Sequence, residues 1–263
     1  MADALLELTG VTKRYGDFTA VDDVAFTLPQ GRSLAIVGES GSGKTTLARM
    51  IVGLESLTSG TIRACGEDRS APAKRASQRK VRGRQVQIVF QDPYSSLDRR
   101  QSPAAALDEV LTLHHDYDAA QRAARVAELG ALVGLDDRQL QSMPRTLSGG
   151  QRQRVAIARA IAAEPRLIIL DESVAALDVS IQAQILNVLA DVREATGVAY
   201  VLISHDLAVV RQLTDDVVVM RSGAVVERGI TGDVLDDPQT EYTRMLRASV
   251  PEPGWTPRRR PIR

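Results

Sequence analysis

Two adjacent carboxylates at the end of an apolar run are the first residues whose types and positions could do chemistry. The run at 167–170 reads as a buried strand, and Asp171 and Glu172 follow it directly. In one interpretation they face water or cap the next helix, since carboxylates stabilise helix N-termini. In the other they lie at the carboxyl end of a parallel strand, where open α/β sheets bind ligands. They would then serve a cation and a water molecule.

A glycine-rich segment favours the second interpretation. Residues 38–45, GESGSGKT, match G-x-x-x-x-G-K-[ST], follow the strand SLAIVG and open the helix KTTLARMIVGL. Glycines let backbone N–H groups converge on phosphate oxygens, and the helix N-terminus adds positive potential. Lys44 would reach the β- and γ-phosphates of a nucleotide, and the Thr45 hydroxyl would bind Mg²⁺. The predicted nucleotide contacts are Gly38, Glu39, Ser40, Gly41, Ser42, Gly43, Lys44, Thr45 and Thr46.

A nucleotide at this loop gives the two carboxylates separate roles. In phosphate-loop nucleotidases a second strand brings an aspartate to the magnesium ion, and Asp171 fits that position. Glu172, one residue on, can orient or deprotonate the attacking water without touching the metal. The alternative, a chance Gly/Ser loop, is disfavoured because strand, loop and helix occur in the required order.

The elements that must position these groups alternate between strands and helices, which is typical of a mainly parallel α/β sheet. We predict strands within 5–37, a helix near 179–195, the strand VAYVLIS and a hairpin VVVM-RSG-AVVE with a three-residue loop. A helical insertion is predicted at about 92–163, in which Ser102 caps a helix that begins at Pro103.

The predicted fold is therefore α/β: a P-loop nucleotidase core with a mainly parallel sheet, an N-terminal antiparallel β part and a helical insertion. We expect one ATPase domain over 1–250, with the insertion as its helical subdomain. The proline- and arginine-rich end at 251–263 is expected to be a flexible tail.

Composition narrows the class of partner. Lys plus Arg and Asp plus Glu number 33 each in 263 residues, and aromatic residues are 3%, which argues against a base-stacking nucleic-acid surface. The basic run between Arg69 and Arg84 is read as a solvated face rather than a nucleic-acid site, and His114 and His115 as surface residues. The single cysteine, Cys65, excludes an intrachain disulfide and fits a reducing compartment.

Targeting and spanning signals are absent from the same sequence. The start MADALLELTG lacks the features of a signal peptide. No window approaches the ~18 uninterrupted apolar residues of a membrane span. If the protein works at a membrane, we expect other chains to supply the span.

The segment LSGGQRQRVAIARAI, residues 147–161, carries a resemblance to a known family. A Ser-Gly-Gly-Gln sequence at the start of a helix is a second anion site. A phosphate loop and such a helix in one chain resemble the ATPase subunit of an ABC transporter, and the resemblance covers nearly the whole chain. Its signature residues are Ser148, Gly149, Gly150 and Gln151.

The resemblance implies further roles residue by residue. Tyr15 stands where the family stacks an aromatic ring on adenine, and Gln91 matches the glutamine that senses magnesium and the attacking water. Asp178 matches the aspartate of the loop linking two sites, and His205 the histidine that contacts the γ-phosphate. Read alone, Tyr15 is an ordinary surface tyrosine, Gln91 and His205 end strands, and Asp178 caps a helix.

Other segments resemble the oligopeptide, dipeptide and nickel importer branch more specifically. These are FQDPYSSLDRR, ALDVSIQAQILNVL and PQTEYTRMLRASVP. Two positions depart from the family pattern: Ser173 stands where proline is usual, and Ala175 where serine is usual. The residues of the chemistry are unchanged, so the departures bear on communication between paired sites and on the substrate branch.

The resemblance implies an ATP- and Mg²⁺-dependent ATPase that energises an importer, with peptides as the expected solute. Its partners would be two membrane-spanning permease subunits, a second ATPase subunit, identical or homologous, joined head to tail, and indirectly an extracellular solute-binding protein, with no nucleic acid. The expected location is the cytoplasmic face of the cell membrane, as a peripheral protein. Two alternatives stay open: a soluble ABC ATPase of translation or DNA repair, and a non-hydrolysing, nucleotide-dependent interaction subunit.

Overall fold

Strands and helices alternate along the chain in the computed structural model, which describes residues 4–92, 97–173 and 178–248. The strands are β1 (Ala4–Tyr15), β2 (Phe18–Pro29), β3 (Leu34–Val37), β4 (Ser59–Ala64), β5 (Glu67–Asp68), β6 (Val86–Val89), β7 (Leu167–Asp171), β8 (Ala199–Ile203), β9 (Asp216–Arg221) and β10 (Ala224–Ile230). The helices are α1 (Lys44–Val52), α2 (Ala76–Gln85), α3 (Pro103–His114), α4 (Ala119–Leu132), α5 (Asp137–Gln141), α6 (Gly149–Ile161), α7 (Val179–Thr196), α8 (Leu207–Leu213), α9 (Thr231–Asp236) and α10 (Glu241–Ala248), with a 3₁₀ turn at Pro144–Thr146.

The smaller sheet is antiparallel and belongs to the first part of the chain. Its order is β2-β1-β4-β5, and each neighbouring pair runs antiparallel. The predicted N-terminal antiparallel β part is thereby confirmed. This sheet packs its apolar face on the central sheet and on α1, through a shared core that includes Leu6, Leu28 and Leu47.

The central sheet has the order β10-β9-β3-β8-β7-β6. All neighbouring pairs from β9 to β6 are parallel, and only β10 is antiparallel to its neighbour. The prediction of a mainly parallel sheet is confirmed. Because the carboxyl ends of parallel strands meet at one edge, the residues that follow β3, β8, β7 and β6 lie side by side in that order.

The continuous apolar runs of the sequence follow from burial on both faces of this sheet. In β7, Ile168 and Leu170 pack against the helices, whereas Leu167 and Ile169 pack against the smaller sheet. Each of these side chains is fully buried or nearly so. A strand buried on both faces cannot alternate apolar and polar residues, so polar groups become possible only where the strand ends.

Helices alone fill the described part of the chain between β6 and β7. Ser102 caps α3 as predicted: its hydroxyl accepts the Ala105 N–H, and Pro103 is the first helical residue. These helices agree with a helical insertion, although the bounds of the domain and subdomain stay predictions. The tail expected at 251–263 and the departure at Ala175 lie outside the described residues.

Two expectations about the surface are wrong. The β9–β10 loop has two residues rather than three, because Arg221 still pairs in β9. Ser222 and Gly223 both have positive φ, as a two-residue hairpin loop requires. His114 is buried rather than exposed, and the His115 side chain is only 5% exposed; the His115 ring stacks on Tyr117 and bonds the Ala162 carbonyl oxygen.

The basic run beside α2 is partly a solvated face. Helix α2 itself buries none of its residues. Arg69, which precedes it, is buried, and its guanidinium donates to the Gln85 side chain and the Arg82 carbonyl oxygen. Across the described ranges, no helix is both long and apolar enough to cross a bilayer.

Candidate active site

The loop at 38–45 joins β3 to α1 and depends on glycine for steric reasons. Gly38, Gly41 and Gly43 have positive φ, which other residues rarely adopt. A Cβ on Gly38 would overlap the Met220 carbonyl oxygen, and a Cβ on Gly43 would overlap that of Ala20. The loop is therefore pressed against the backbone of β9 at Gly38 and against that of β2 at Gly43.

Lys44, the first residue of α1, is a buried cation folded over this loop. Its ammonium donates to the carbonyl oxygens of Gly38 and Glu39, each at 2.8 Å. Burial lowers the pKa of Lys44, and the negative charges of Glu172 and Asp171 oppose that shift. A buried ammonium at the N-terminus of a helix is a suitable group to receive phosphate oxygens.

Asp171 and Thr45 bring two hard oxygen atoms together next to Lys44. The Thr45 hydroxyl donates to Asp171 Oδ1 at 3.2 Å, which joins α1 to the end of β7. Burial, together with the charge of Glu172, raises the pKa of Asp171, and the bond from Thr45 opposes the rise. A buried carboxylate and a hydroxyl are oxygen ligands of the kind that Mg²⁺ prefers, so these residues fit the expected ion.

Glu172 and His205 follow the ends of two neighbouring strands, β7 and β8. The Glu172 N–H donates to the Ile203 carbonyl oxygen at 3.0 Å, and His205 follows β8 by two residues. His205 Nδ1 lies 3.8 Å from Glu172 Oε1. The side chains are 24% exposed for Glu172 and 60% exposed for His205, so both reach solvent at the sheet edge. Glu172 has φ of 47°, a strained backbone of the kind found at functional sites.

Gln91 and Tyr15 are not joined to this group. Gln91 is exposed two residues after β6, beside β7, and Tyr15 ends β1 with 48% of its surface exposed. The Lys13 ammonium lies 4.8 Å from the Tyr15 ring centroid. Within the part of the chain that the structure describes, no hydrogen bond or ion pair connects either residue to Lys44, Thr45 or Asp171.

The signature residues form the capped start of helix α6. The Ser148 hydroxyl accepts the Gln151 N–H, and the Gln151 side chain accepts the Ser148 N–H at 2.8 Å. A Cβ on Gly150 would come within 2.6 Å of Ile181, so α6 packs closely on α7. Asp178 precedes α7 without capping it through its side chain. In the described ranges, no hydrogen bond links Ser148 or Gln151 to the loop at 38–45.

Two features escaped the sequence analysis. The N–H of Glu39 donates to the Tyr242 hydroxyl at 3.1 Å, so helix α10 reaches the loop. Only the resemblance of the segment around Tyr242 to an importer branch pointed to it. Ser173 is buried, and its hydroxyl has no hydrogen-bond partner among the described residues.

Proteins similar to this chain include ATP-binding proteins of transporters, in agreement with a phosphate-binding loop. The family model described as ABC transporter matches residues 21–175. The oligopeptide transport ATP-binding protein OppF of Lactococcus lactis is 42% identical over 237 residues, covering 88% of this chain and 72% of its own length. A putative peptide import ATP-binding protein of Brucella abortus is 46% identical over 232 residues, covering 88% and 69%.

Solved structures similar to this chain are likewise an ATP-binding cassette and part of an ABC transporter complex. A dimeric ATP-binding cassette in a post-hydrolysis state, bound to ADP and Pi, aligns with a TM-score of 0.77 at 28% identity, covering 86% of this chain and 98% of its own. The protein cbiO1 from Clostridium perfringens, part of the transporter complex cbiONQ, aligns with a TM-score of 0.80 at 26% identity, covering 89% and 92%.

Proposed function

The chain belongs to the ABC transporter family as an ATPase coupled to transport, and from that premise we propose that it hydrolyses ATP to energise the import of peptides. One observation supports the proposed nucleotide site most strongly. Lys44, Thr45 and Asp171 come together from α1 and β7, although 126 residues separate Thr45 from Asp171. A buried cation beside a hydroxyl and a carboxylate is the donor set that a metal-bound polyphosphate requires.

In this proposal the loop residues 38–46 bind the phosphates through their N–H groups, and Lys44 neutralises the β- and γ-phosphates. Thr45 and Asp171, with Gln91, would hold Mg²⁺. When bound, the ion neutralises charge on the phosphate oxygens. Tyr15 would lie on the adenine ring, which its exposed position at the end of β1 permits.

Glu172 would act as the general base. Its carboxylate is more exposed than that of Asp171 and stands at the same sheet edge, so it can accept a proton from a water molecule. His205, across from it, would contact the γ-phosphate. Asp171 and Glu172 thus differ in environment, one buried beside Thr45 and the other open to solvent, which supports different roles.

The second half of each site would come from another ATPase subunit. Ser148–Gln151 stand apart from the chain's own loop in every described contact, although their helix start can bind an anion. A dimeric ATP-binding cassette among the structural neighbours supports a pair of subunits, and the head-to-tail arrangement is part of the proposal. Asp178 would lie in the connection between the paired sites.

Peptide as the solute rests on the relatives, whose names state oligopeptide transport or peptide import. The remaining partners would be two permease subunits and, through them, an extracellular solute-binding protein. The chain would then sit on the cytoplasmic face of the membrane.

The test is reconstitution with the permeases that co-purify from native membranes. In liposomes, wild-type complex should take up a labelled oligopeptide mixture only with ATP on the side of this subunit, and phosphate release should rise with peptide. Complex carrying Glu172→Gln is the matched control and should do neither. Phosphate release indifferent to permease and peptide would contradict the transport role, and uptake of nickel but not peptide would contradict the solute.

A further inference from the structure

The phosphate loop is tied to the last described helix by its backbone. The Glu39 N–H donates to the Tyr242 hydroxyl at 3.1 Å, across 203 residues of sequence. The Tyr242 side chain is only 5% exposed, whereas the Glu39 residue is exposed. The contact therefore depends on Tyr242 and on the path of the loop, and not on the side chain at position 39.

The start of helix α10, which carries Tyr242, is hydrogen-bonded to β10. The Glu227 carboxylate on β10 accepts the N–H groups of Gln239 and Thr240 and the Thr240 hydroxyl, at 2.8 to 3.1 Å. Burial alone would raise the pKa of Glu227, but hydrogen bonds from Thr243, Gln239 and Thr240 outweigh it, and the pKa is lowered. A charged acceptor of this kind fixes the start of α10, in which Tyr242 is the second residue.

The β9–β10 hairpin supports the same loop from the adjoining side. The Gly223 N–H donates to the Ser42 carbonyl oxygen at 3.1 Å, and Arg221 lies with its guanidinium 4.9 Å from the Tyr242 ring centroid. Met220 leaves no space for a side chain at Gly38. Residues that follow β7 and β8 in the sequence therefore contact the loop at three positions. Met220 packs against Gly38, Tyr242 bonds to Glu39 and Gly223 bonds to Ser42.

We propose that Tyr242 is a positioning residue that holds the phosphate loop ready for nucleotide, acting through the Glu39 N–H. The inference rests on the proposed phosphate-binding role of the loop. A loop already fixed in its binding conformation loses less freedom when it binds phosphate, so preorganisation appears as affinity. Turnover of bound ATP depends on Glu172 and should change less.

Tyr242→Phe removes one hydroxyl and keeps the ring. We expect the Kd for ATP in magnesium-free buffer to rise roughly three- to tenfold, the range that one hydrogen bond supports. KM should rise by a similar factor while kcat falls much less. Amide hydrogen exchange should accelerate across residues 38–43.

Tyr200→Phe is the matched control. The Tyr200 hydroxyl donates to the Leu189 carbonyl oxygen at 2.8 Å and Tyr200 is fully buried on β8; among the described residues, no hydrogen bond joins it to the loop. It should lower the thermal midpoint but leave the Kd for ATP and exchange at 38–43 unchanged. Thr240→Val, which removes the hydroxyl bound to Glu227, is a second variant and should weaken ATP binding in the same direction as Tyr242→Phe.

Four results separate the inference from the proposed function. Wild-type protein that fails to bind ATP would overturn the proposed function itself. ATP binding by Tyr242→Phe as tight as, or tighter than, wild type would overturn the inference alone, as would equal losses of affinity in Tyr242→Phe and Tyr200→Phe. If Tyr242→Phe does not fold, unchanged ATP affinity in Thr240→Val overturns it.

Discussion

Lys44 and Asp171 show how burial and charge oppose each other at single residues. Burial lowers the pKa of Lys44 and raises that of Asp171, so it disfavours the charged form of each. Their mutual attraction acts in the opposite direction. An arriving polyphosphate would add negative charge beside Lys44, which further stabilises its protonated form.

Lys44→Ala should weaken ATP binding about 10- to 100-fold, because a charged hydrogen-bond donor to phosphate contributes ~1.5–3 kcal/mol. Titration of a fluorescent ATP analogue measures the effect. Lys80→Ala is the control, since Lys80 is an exposed lysine on α2, and its ATP affinity should match wild type. Equal affinity in Lys44→Ala and wild type would show that the nucleotide binds elsewhere.

Single elements set the shape of the loop as much as its own sequence does. Gly43 has φ of 98° and Gly53, just after α1, has φ of 90°. An added Cβ would overlap the Ala20 carbonyl oxygen on β2 at Gly43 but would meet nothing within 4 Å at Gly53. The two glycines therefore share a backbone conformation and differ in their surroundings.

Gly53→Ala should destabilise the fold by about 1 kcal/mol through backbone strain alone. Gly43→Ala should destabilise it more and also displace the loop from β2, so ATP affinity should fall at least tenfold. Denaturant unfolding and ATP titration of both variants measure this. An unchanged ATP affinity in Gly43→Ala would contradict the close contact between β2 and the loop.

The sequence predicts an element well where the residues that determine it lie close together in the chain. The loop at 38–45, the strand before Asp171 and the cap at Ser102 could all be read locally, because glycine, apolar runs and capping residues act over short distances. Contacts between segments that are distant in the sequence could not be predicted in this way. The bond from Glu39 to Tyr242 uses a backbone N–H, and the burial of His114 and His115 comes from packing against other helices.

At the scale of the whole molecule, the two segments proposed to form a nucleotide site, the loop at 38–45 and the helix start at Ser148, share no hydrogen bond among the described residues. The loop leads directly into α1, and the Ser148 capping box begins α6. In the proposed head-to-tail pair, the loop of one chain would meet the helix start of the other. This arrangement can be tested with mixed dimers.

Mixing Lys44→Ala chains with Ser148→Arg chains should restore hydrolysis, because the mixed pair has one site with both halves intact. Mixing wild-type chains with a Lys44→Ala, Ser148→Arg double variant should restore none within mixed pairs. Ser102→Arg removes a comparable helix cap on α3 and controls for lost stability. Hydrolysis in the mixture with the double variant's mixed pairs, and none in the mixture of the two single variants, would mean that each chain uses its own signature.

Phosphate release and molar mass of purified Glu172→Gln with ATP and Mg²⁺ test the central claim most directly. The claim is that Asp171 serves the metal while Glu172 serves the water. Loss of the general base should nearly abolish hydrolysis but preserve ATP binding, so light scattering should detect a stable ATP-bound dimer. Phosphate release by Glu172→Gln at the wild-type rate would contradict the assignment.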